Sequence, residues 1–224
     1  MDSFIRYSVG VLLFFLVGGL SAQEILTASD LFERVSQRHA SINDYTADIE
    51  VYTGDRTQRG LLAFLQPEYL RITFSSPPGQ EIVINGEKLL TYIPQSNFVL
   101  EQKYGKGGGS SFLGITTPEG LRLIQEKFSM AYISGAEPQA LPEIPGIRVY
   151  ALRLTWKNKT DGLRQLNLYV GEDLIIRRVE ATTANYKEIT LIYNNISINN
   201  NLTKAYFDYE PPGNASVSEN FLFE

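Results

Sequence analysis

The sequence predicts a mainly β protein (class α+β) in which one large antiparallel sheet is strongly curved, nearly barrel-like, and accompanied by two short helices. Apolar residues recur at every second position through most of the chain, which is the period of a strand with one buried face. Turn signals separate these runs at short intervals, and two segments with a helical period interrupt them. We therefore expect about ten or eleven strands in meander order.

The first 22 residues have the layout of a secretory signal peptide. Arg6 precedes an apolar run from Val9 to Val17, and small residues follow up to Ala22. The run is shorter than the roughly 20 apolar residues that a bilayer span needs, so we expect cleavage after Ala22 and export. An uncleaved membrane anchor is the alternative interpretation. Residues 23–224 would then form a single domain.

A helix is predicted at the start of the mature chain. Thr27 can cap it, with Asp30 three residues later, as in a capping box. Leu31 and Val35 are spaced to lie on one apolar face. We expect this helix to end near Asn43-Asp44.

Strands with period-two alternation follow from Ala47 to Leu100. Pro67 separates two of these runs and belongs at a bend, because proline cannot donate a hydrogen bond to a strand ladder. Asn85-Gly86 separates two others and predicts a tight hairpin turn.

The second half of the chain begins with a break in the alternation. Lys103–Ser111 is rich in glycine and predicts a hinge or a loose loop, whereas Pro118–Phe128 is amphipathic and predicts the second helix. A looser segment, Glu137–Pro145, leads back to strands. Later strands are predicted at 152–156, 166–170, 176–181, 189–198 and 206–209, with a turn at 159–162.

The composition excludes several classes of function. The formal net charge is −5, which does not suit nucleic acid as a partner because phosphate binding requires clustered lysine and arginine. The chain contains no cysteine and one histidine, His39, which we expect at the surface. A zinc or thiol site is therefore not expected, and no cofactor is predicted.

The apolar strand faces remain to be explained. Either they form an ordinary core beneath the two helices, or they enclose a cavity for a ligand, as apolar cavities do in the mouths of barrels. Two short helices are a small cover for a sheet of this size. The strand pattern alone leaves both interpretations open.

Four segments in this order resemble the LolA family, the periplasmic carriers of outer-membrane lipoproteins. They are YTADIEVYTG from Tyr45, GLLAFLQPEYLRITF from Gly60, EIVINGEKLLTYIPQSNFVLEQ from Glu81 and AYFDYEPPGNASV from Ala205. The resemblance covers most of the mature chain, from Leu26 to Val217. It implies an incomplete β-barrel closed by a helical lid over a hydrophobic cavity that takes up acyl chains.

The resemblance also implies a function and partners. The cargo would be acylated lipoproteins, received from an inner-membrane ABC-type release complex and passed to an outer-membrane acceptor. The protein would be a periplasmic monomer without catalytic activity. The absence of cysteine argues against LolB, the related acceptor, which is itself a lipoprotein. The residues expected to line the lipid-binding cavity are Ile49, Val51, Leu62, Phe64, Leu70, Ile72, Phe74, Ile82, Ile84, Leu90, Tyr92, Leu152, Leu154 and Leu168.

Gln66 departs from the pattern of this family. LolA proteins of the enterobacterial type have an arginine just before the proline, where it helps to hold the lid shut. The neutral amide of Gln66 can still donate to lid carbonyls, but hydrogen bonds from charged donors are roughly twice as strong. We therefore expect Gln66 to be a weak lid latch, with the glycine-rich stretch supplying backbone freedom before the second helix.

Two other functions compete with a carrier. LolA-like domains also occur in periplasmic regulators that sense lipids or peptides, although those usually carry a second domain. An exported esterase is the other alternative, and it would need a nucleophile with a base, for which only His39 is available.

Overall fold

The computed structural model describes residues 26–103, 117–157 and 163–219. The predicted signal peptide, residues 104–111 of the glycine-rich stretch and the predicted turn at 159–162 lie outside these ranges. The described elements are α1 (Ala28–Ala40), α2 (Pro118–Lys127), β1 (Asp44–Thr53), β2 (Arg56–Leu65), β3 (Tyr69–Ser76), β4 (Pro78–Asn85), β5 (Lys88–Ile93), β6 (Phe98–Lys103), β7 (Phe128–Tyr132), β8 (Gln139–Leu141), β9 (Ile144–Trp156), β10 (Leu163–Gly171), β11 (Ile176–Thr183), β12 (Glu188–Ile198) and β13 (Ser216–Glu219).

All thirteen described strands belong to one sheet, in the order β13-β6-β5-β4-β3-β2-β1-β12-β11-β10-β9-β7, with β8 also paired to β9. The predicted fold class is confirmed, but the order is two meanders joined where β1 pairs with β12. The pairing of β13 with β6 is parallel and the other described pairings are antiparallel. Within the described residues no strand joins β13 to β7, so the barrel is incomplete.

The sheet curves around one main core. Ile72 on β3 and Leu168 on β10 are both fully buried in the same hydrophobic cluster. Their strands lie five positions apart in the sheet, which would be roughly 24 Å in a flat sheet. One connected core thus extends across these strands, as it does in an open sheet that curves around its core. The surface facing this cluster is called the concave face below, and the opposite surface the convex face.

Helix α1 begins as the sequence predicts. The Thr27 side chain accepts from the Asp30 backbone N–H, and the Asp30 carboxylate accepts from the Thr27 backbone N–H, which completes the capping box. The helix ends at Ala40, earlier than expected. Leu31 and Val35 are buried against the concave face, as their spacing predicts.

Two of the predicted turns are confirmed. Pro67 lies between β2 and β3, after a cis Gln66–Pro67 bond. Asn85 and Gly86 lie between β4 and β5, and Gly86 has a φ of +88°, a conformation that glycine adopts without strain.

Three strands were not expected, and one expected strand is wrong. β7 follows α2 directly, with no turn residue between them to mark the start of a strand. β8 has only three residues and β13 is mostly polar, so neither shows an alternation of apolar and polar residues. Residues 206–209 do not form the predicted strand. The first two belong to a 3₁₀ turn, Lys204–Phe207, which places Phe207 against the convex face. Its ring lies 5.7 Å from that of Tyr69, and Phe207 is fully buried.

Residues 199–219, called the C-terminal strap below, cross the convex face. The strap starts beside β1, where the Asn200 backbone N–H donates to the Asp44 carboxylate at 2.6 Å. It passes over β3 to β5 and ends as β13 along β6.

Candidate functional site

The concave face is the one extended apolar surface among the described strands that the helices cover. All but two of the predicted cavity-lining residues lie on it. The buried ones are Ile49, Leu62, Phe64, Leu70, Ile72, Phe74, Ile84, Leu152, Leu154 and Leu168, and Val51 and Ile82 are partly buried against them.

Leu90 and Tyr92 are the exceptions, and their predicted position is wrong. Leu90 lies in a separate cluster on the convex face with Val83, and Tyr92 packs against that cluster. The β4–β5 register pairs Val83 with Leu90 and Ile84 with Leu89. Directly opposite residues of an antiparallel pair share a face, so Leu89 faces the core and Leu90 does not.

Sequence reasoning missed several concave residues on the second meander. Leu166 and Val170 are fully buried in the main cluster on either side of Leu168, and Val179 and Leu191 belong to the same cluster. The period-two alternation indicates this burial, because Leu166 and Val170 stand two residues from Leu168. The predicted set of cavity-lining residues includes Leu168 and omits these two neighbours.

The concave interior is filled in this structure. Leu152, Leu154 and Leu168 have 0% exposure. A side chain that bordered an empty cavity wide enough for water would keep accessible area, so these residues contact other protein atoms on every side. Leu31 and Phe32 of α1 and Leu121 of α2 belong to the same cluster, so helix side chains fill the space against the concave face.

Gln66 lies at the end of α1. Its Nε2 donates to the carbonyl oxygens of Ala40 at 2.9 Å and of Ile42 at 2.7 Å. The last carbonyls of a helix lack partners within the helix, and the Gln66 amide satisfies two carbonyls at this end. Gln66 therefore contacts the end of α1 and not the second helix, α2, that we expected it to hold, and its role as a lid latch stays a prediction.

The start of α1 is held by a tyrosine of β7. The Tyr132 hydroxyl donates to the carbonyl oxygen of Leu26 at 2.9 Å and lies 3.3 Å from that of Thr27. Burial, followed by the neighbouring Tyr150 and Asp30, raises the pKa of Tyr132 above its usual value of 10.0. Neutral hydrogen bonds thus hold both ends of α1 to the sheet.

His39 is buried, at 5% exposure, so its expected surface position is wrong. Its Nε2 accepts a hydrogen bond from the backbone N–H of Ile176 at 3.4 Å. His39 stands four residues after Val35 and therefore shares the apolar face of the helix. The helical spacing would have predicted this burial.

A shallow apolar recess of about 10 Å³ lies where the end of α1 meets β1, β11 and β12. It is smaller than the pockets of roughly 300–1,000 Å³ that hold small ligands. The lining residues are His39, Ile42, Tyr45, Ile175, Ile176, Tyr193, Ile196 and Ile198.

Helix α2 is the second part of the cover. The Thr117 hydroxyl accepts from the Gly120 backbone N–H at 3.1 Å and caps the helix. Leu121 and Ile124 are buried in the main cluster. On the solvent side, Arg122 pairs with Glu119 at 2.7 Å and lowers the pKa of that carboxyl. The helix is therefore amphipathic, with one face on the core and a charged face in water.

Neither a metal centre nor a membrane helix is found in the part of the chain that the structure describes. No group of three or more histidine, cysteine, aspartate or glutamate side chains is arranged to hold an ion there. The helices of this part are too short and too polar to cross a bilayer.

Comparisons with known proteins show the fold but no family. No protein-family model matches the sequence, and no curated protein does. An uncharacterized conserved protein from Thermus thermophilus is 16% identical, with a TM-score of 0.56, over 86% of this chain and 98% of that one. MucB is 8% identical, with a TM-score of 0.52, over 82% of this chain and 62% of its own.

A LolA superfamily protein from Nitrosomonas europaea is also similar in structure. It is 12% identical, with a TM-score of 0.42, over 82% of this chain and 98% of that one. The likeness to the Thermus protein and to MucB shows that other proteins share this open sheet with its helices. Membership of the LolA family itself stays a prediction from the sequence motifs.

Proposed function

We propose that this protein is an exported carrier that binds the acyl chains of lipoproteins between its concave face and its helices. The observation that supports the proposal is the concave face itself. It is a continuous apolar surface covered by two amphipathic helices, and the hydrogen bonds at both ends of α1 are neutral.

Opening is a necessary step in this proposal, because the interior is filled. For cargo to bind, α1 must move away so that acyl chains replace side chains such as Leu31, Phe32 and Val35. The exchange replaces one apolar contact with another. The polar cost is the loss of end contacts such as the two Gln66 hydrogen bonds, each worth about 1 kcal/mol.

The energetics suit a carrier without catalytic groups. Burying a methylene group is worth about 0.8 kcal/mol, so an acyl chain of about 16 carbons resists entering water by on the order of 10 kcal/mol. An apolar interior that opens offers the chain a place outside a membrane. The proposal assigns the protein no reaction and no cofactor.

The proposed route runs across the periplasm. Its donor is an inner-membrane ABC-type release complex and its end point an outer-membrane acceptor, as the motif resemblance implies. The proposal includes cleavage of residues 1–22, residence in the periplasm and a monomeric carrier.

A lipid- or peptide-sensing regulatory module is the second candidate. The similarity to MucB supports it, since MucB from Pseudomonas aeruginosa is described in complex with MucA and that structure has a TM-score of 0.50 to this chain. This chain covers 61% of the MucB chain in that complex. A sensor would bind a ligand without delivering it to a membrane.

The test is binding of a fluorescent fatty acid to the purified mature protein, with displacement by a triacylated lipopeptide. The matched variants are Phe74→Glu on the concave face and Leu90→Glu on the convex face, at 4% and 8% exposure. A buried unpaired carboxylate is costly in an apolar site, so we expect Phe74→Glu to abolish binding and Leu90→Glu to retain it.

Circular dichroism and thermal melts must show that both variants are folded at the assay temperature. Absence of saturable binding by the wild-type protein would overturn the proposal. Binding without delivery of a labelled lipoprotein to outer-membrane vesicles would favour the sensor.

A further inference from the structure

We propose that the outer edge of β7 binds an extended polypeptide segment of a partner protein, which joins the sheet as an additional strand. The inference goes beyond acyl binding and does not depend on it. It rests on the backbone geometry of β7, on the composition of that strand and on the contrast with the opposite edge of the sheet.

The hydrogen bonds between β7 and β9 show which backbone groups are already used. The Ile133 backbone N–H donates to the Ala151 carbonyl oxygen, and the Lys157 backbone N–H donates to the Lys127 carbonyl oxygen, both at 2.9 Å. In an antiparallel pair, hydrogen-bonded and non-hydrogen-bonded residue pairs alternate. The odd-numbered residues of β7 therefore bond to β9.

The even-numbered residues consequently direct their backbone groups away from β9. The register pairs Met130 with Leu154 and Tyr132 with Leu152, and these are the non-hydrogen-bonded pairs. The N–H and C=O groups of Met130 and Tyr132 therefore face the outer edge, where no described strand is paired. At the start of the strand, the Phe128 N–H is already used by the Ile124 carbonyl of α2.

The composition of β7 leaves this edge unprotected. Phe128–Tyr132 reads FSMAY and contains no charge, proline or glycine. Proteins usually protect edge strands with charges, prolines, bulges or a covering segment, because an unpaired edge is a template for another strand. At the opposite edge, β13 pairs with β6 and leaves a strand of only four residues, SVSE, that includes a charged glutamate.

The geometry also specifies the chemistry of the partner. A row of N–H and C=O groups at strand spacing is matched by another extended backbone, which is the mode of peptide binding by strand addition. Met130 and Tyr132 are partly buried and pack against the core, whereas Ser129 and Ala131 are exposed. The added segment would therefore alternate apolar and polar residues in the same way.

The length of β7 favours a peptide over a second copy of the chain. Five residues of strand offer much less contact than the roughly 1,600 Å² of a standard protein–protein interface. A short segment of a partner protein needs no larger surface. We therefore infer a peptide-binding edge rather than a dimer interface.

The probe is a fluorescein-labelled peptide with the sequence Tyr150–Lys157 of this chain, because that segment already pairs with β7 from the other side. We expect saturable binding to the full mature protein. Two further peptides are N-methylated on alternate amides. One carries the methyl groups on the amides that would face β7, and the other carries them on the amides that would face away. N-methylation of the set that faces β7 should abolish binding, and the other set should retain it.

Two substitutions at one position separate backbone pairing from side-chain contact. Met130→Pro removes an N–H that the β7–β9 ladder does not use, and edge strands tolerate proline there. Met130→Ala removes similar packing but keeps the N–H. We expect Met130→Pro to weaken peptide binding by about tenfold or more relative to Met130→Ala, because the main-chain bond is lost.

The outcomes that overturn the proposal are distinct. Wild-type protein that does not bind the peptide, or N-methylated peptides that both bind as well as the parent, would show that the edge does not accept a strand. Sedimentation showing a wild-type dimer that Met130→Pro dissociates would assign the edge to a second copy instead. Repeating the assay with Phe74→Glu keeps the result separate from acyl binding.

Discussion

On the concave face, α1 and α2 lie over the sheet through buried side chains such as Leu31 and Leu121, and neutral hydrogen bonds hold the two ends of α1. On the convex face, the C-terminal strap is attached through Arg71, which donates to the Tyr206 carbonyl oxygen and lies over the Tyr206 and Tyr209 rings, and through the backbone pairing of β13. Under the proposed function, acyl chains would replace the concave cover at small polar cost. The convex cover is held differently, by directional contacts that include a charged side chain.

Arg71 is the centre of the convex attachment. Its guanidinium donates to the Glu81 carboxylate at 3.1 and 3.4 Å and to the Tyr206 carbonyl oxygen at 3.0 Å. It also lies over the rings of Tyr206 and Tyr209, at 5.6 and 5.5 Å from their centroids. One side chain thus joins β3, β4 and the C-terminal strap. The contrast between the faces predicts different effects of substitution on each.

Truncation of Phe207 should have the largest effect. Phe207 is fully buried on the convex face, and Phe207→Ala should lower the free energy of unfolding by about 3–5 kcal/mol. Urea titration measures the change, with Val217→Ala as an exposed control that should stay within about 0.5 kcal/mol. Fatty-acid binding per folded molecule should not change. A loss of binding in Phe207→Ala would show that the two faces are coupled.

Removal of Arg71 should have the next largest effect. Glu81 is 8% exposed, and Arg71→Met leaves its carboxylate with the Thr73 hydroxyl at 3.0 Å. We expect a loss of about 1–3 kcal/mol in the free energy of unfolding. The double variant Arg71→Met/Glu81→Leu should recover much of it, since no buried charge remains. If the double variant is as unstable as the single one, the loss comes from the contacts of Arg71 with the strap and not from an unpaired Glu81 carboxylate.

Gln66 tests the concave cover with a smaller effect. Gln66→Ala removes two neutral hydrogen bonds, so local opening of α1 should become easier by about 1–2 kcal/mol. Hydrogen exchange should be faster in α1 than in the wild type and unchanged in β3 and β4. Gln66→Arg should slow both exchange and release of lipoprotein to acceptor membranes, because charge-assisted bonds are stronger. Equal exchange rates in all three proteins would show that Gln66 is not a latch.

Alkaline pH should lower the free energy of unfolding through contacts on both faces, and this effect should be the smallest of the four. Burial is the main cause that raises the pKa of both Tyr132, at the start of α1, and Tyr209, on the strap. Because the folded state keeps these hydroxyls protonated above pH 10, where the unfolded chain loses its protons, stability is full below pH 10 and falls as pH rises beyond it. Tyr132→Phe and Tyr209→Phe should each reduce the slope of unfolding free energy against pH above 10. Unchanged slopes would contradict the expected pKa shifts.

Local patterns in the sequence predicted much of this molecule. Period-two alternation correctly predicted that Leu152 and Leu154 face the core, and Thr27 with Asp30 correctly predicted the start of α1. These succeed because a strand turns its side chains to alternate faces and a helix start needs partners for its free N–H groups, both of which are local requirements.

Positions that depend on pairing between segments could not be predicted in this way. Whether Leu89 or Leu90 faces the core depends on the β4–β5 register, and a slip of one residue exchanges the faces. The carbonyls that Gln66 binds belong to Ala40, the last residue of α1, and to Ile42 just after it, more than twenty residues earlier. The turn around Phe207 depends on contact with Tyr69, and the β13–β6 pairing depends on the free edge of β6, both of which are distant in sequence. Sequence periodicity therefore determined the elements and most of the core face. Only the tertiary structure decided what covers each face, because those contacts join segments that are far apart in the chain.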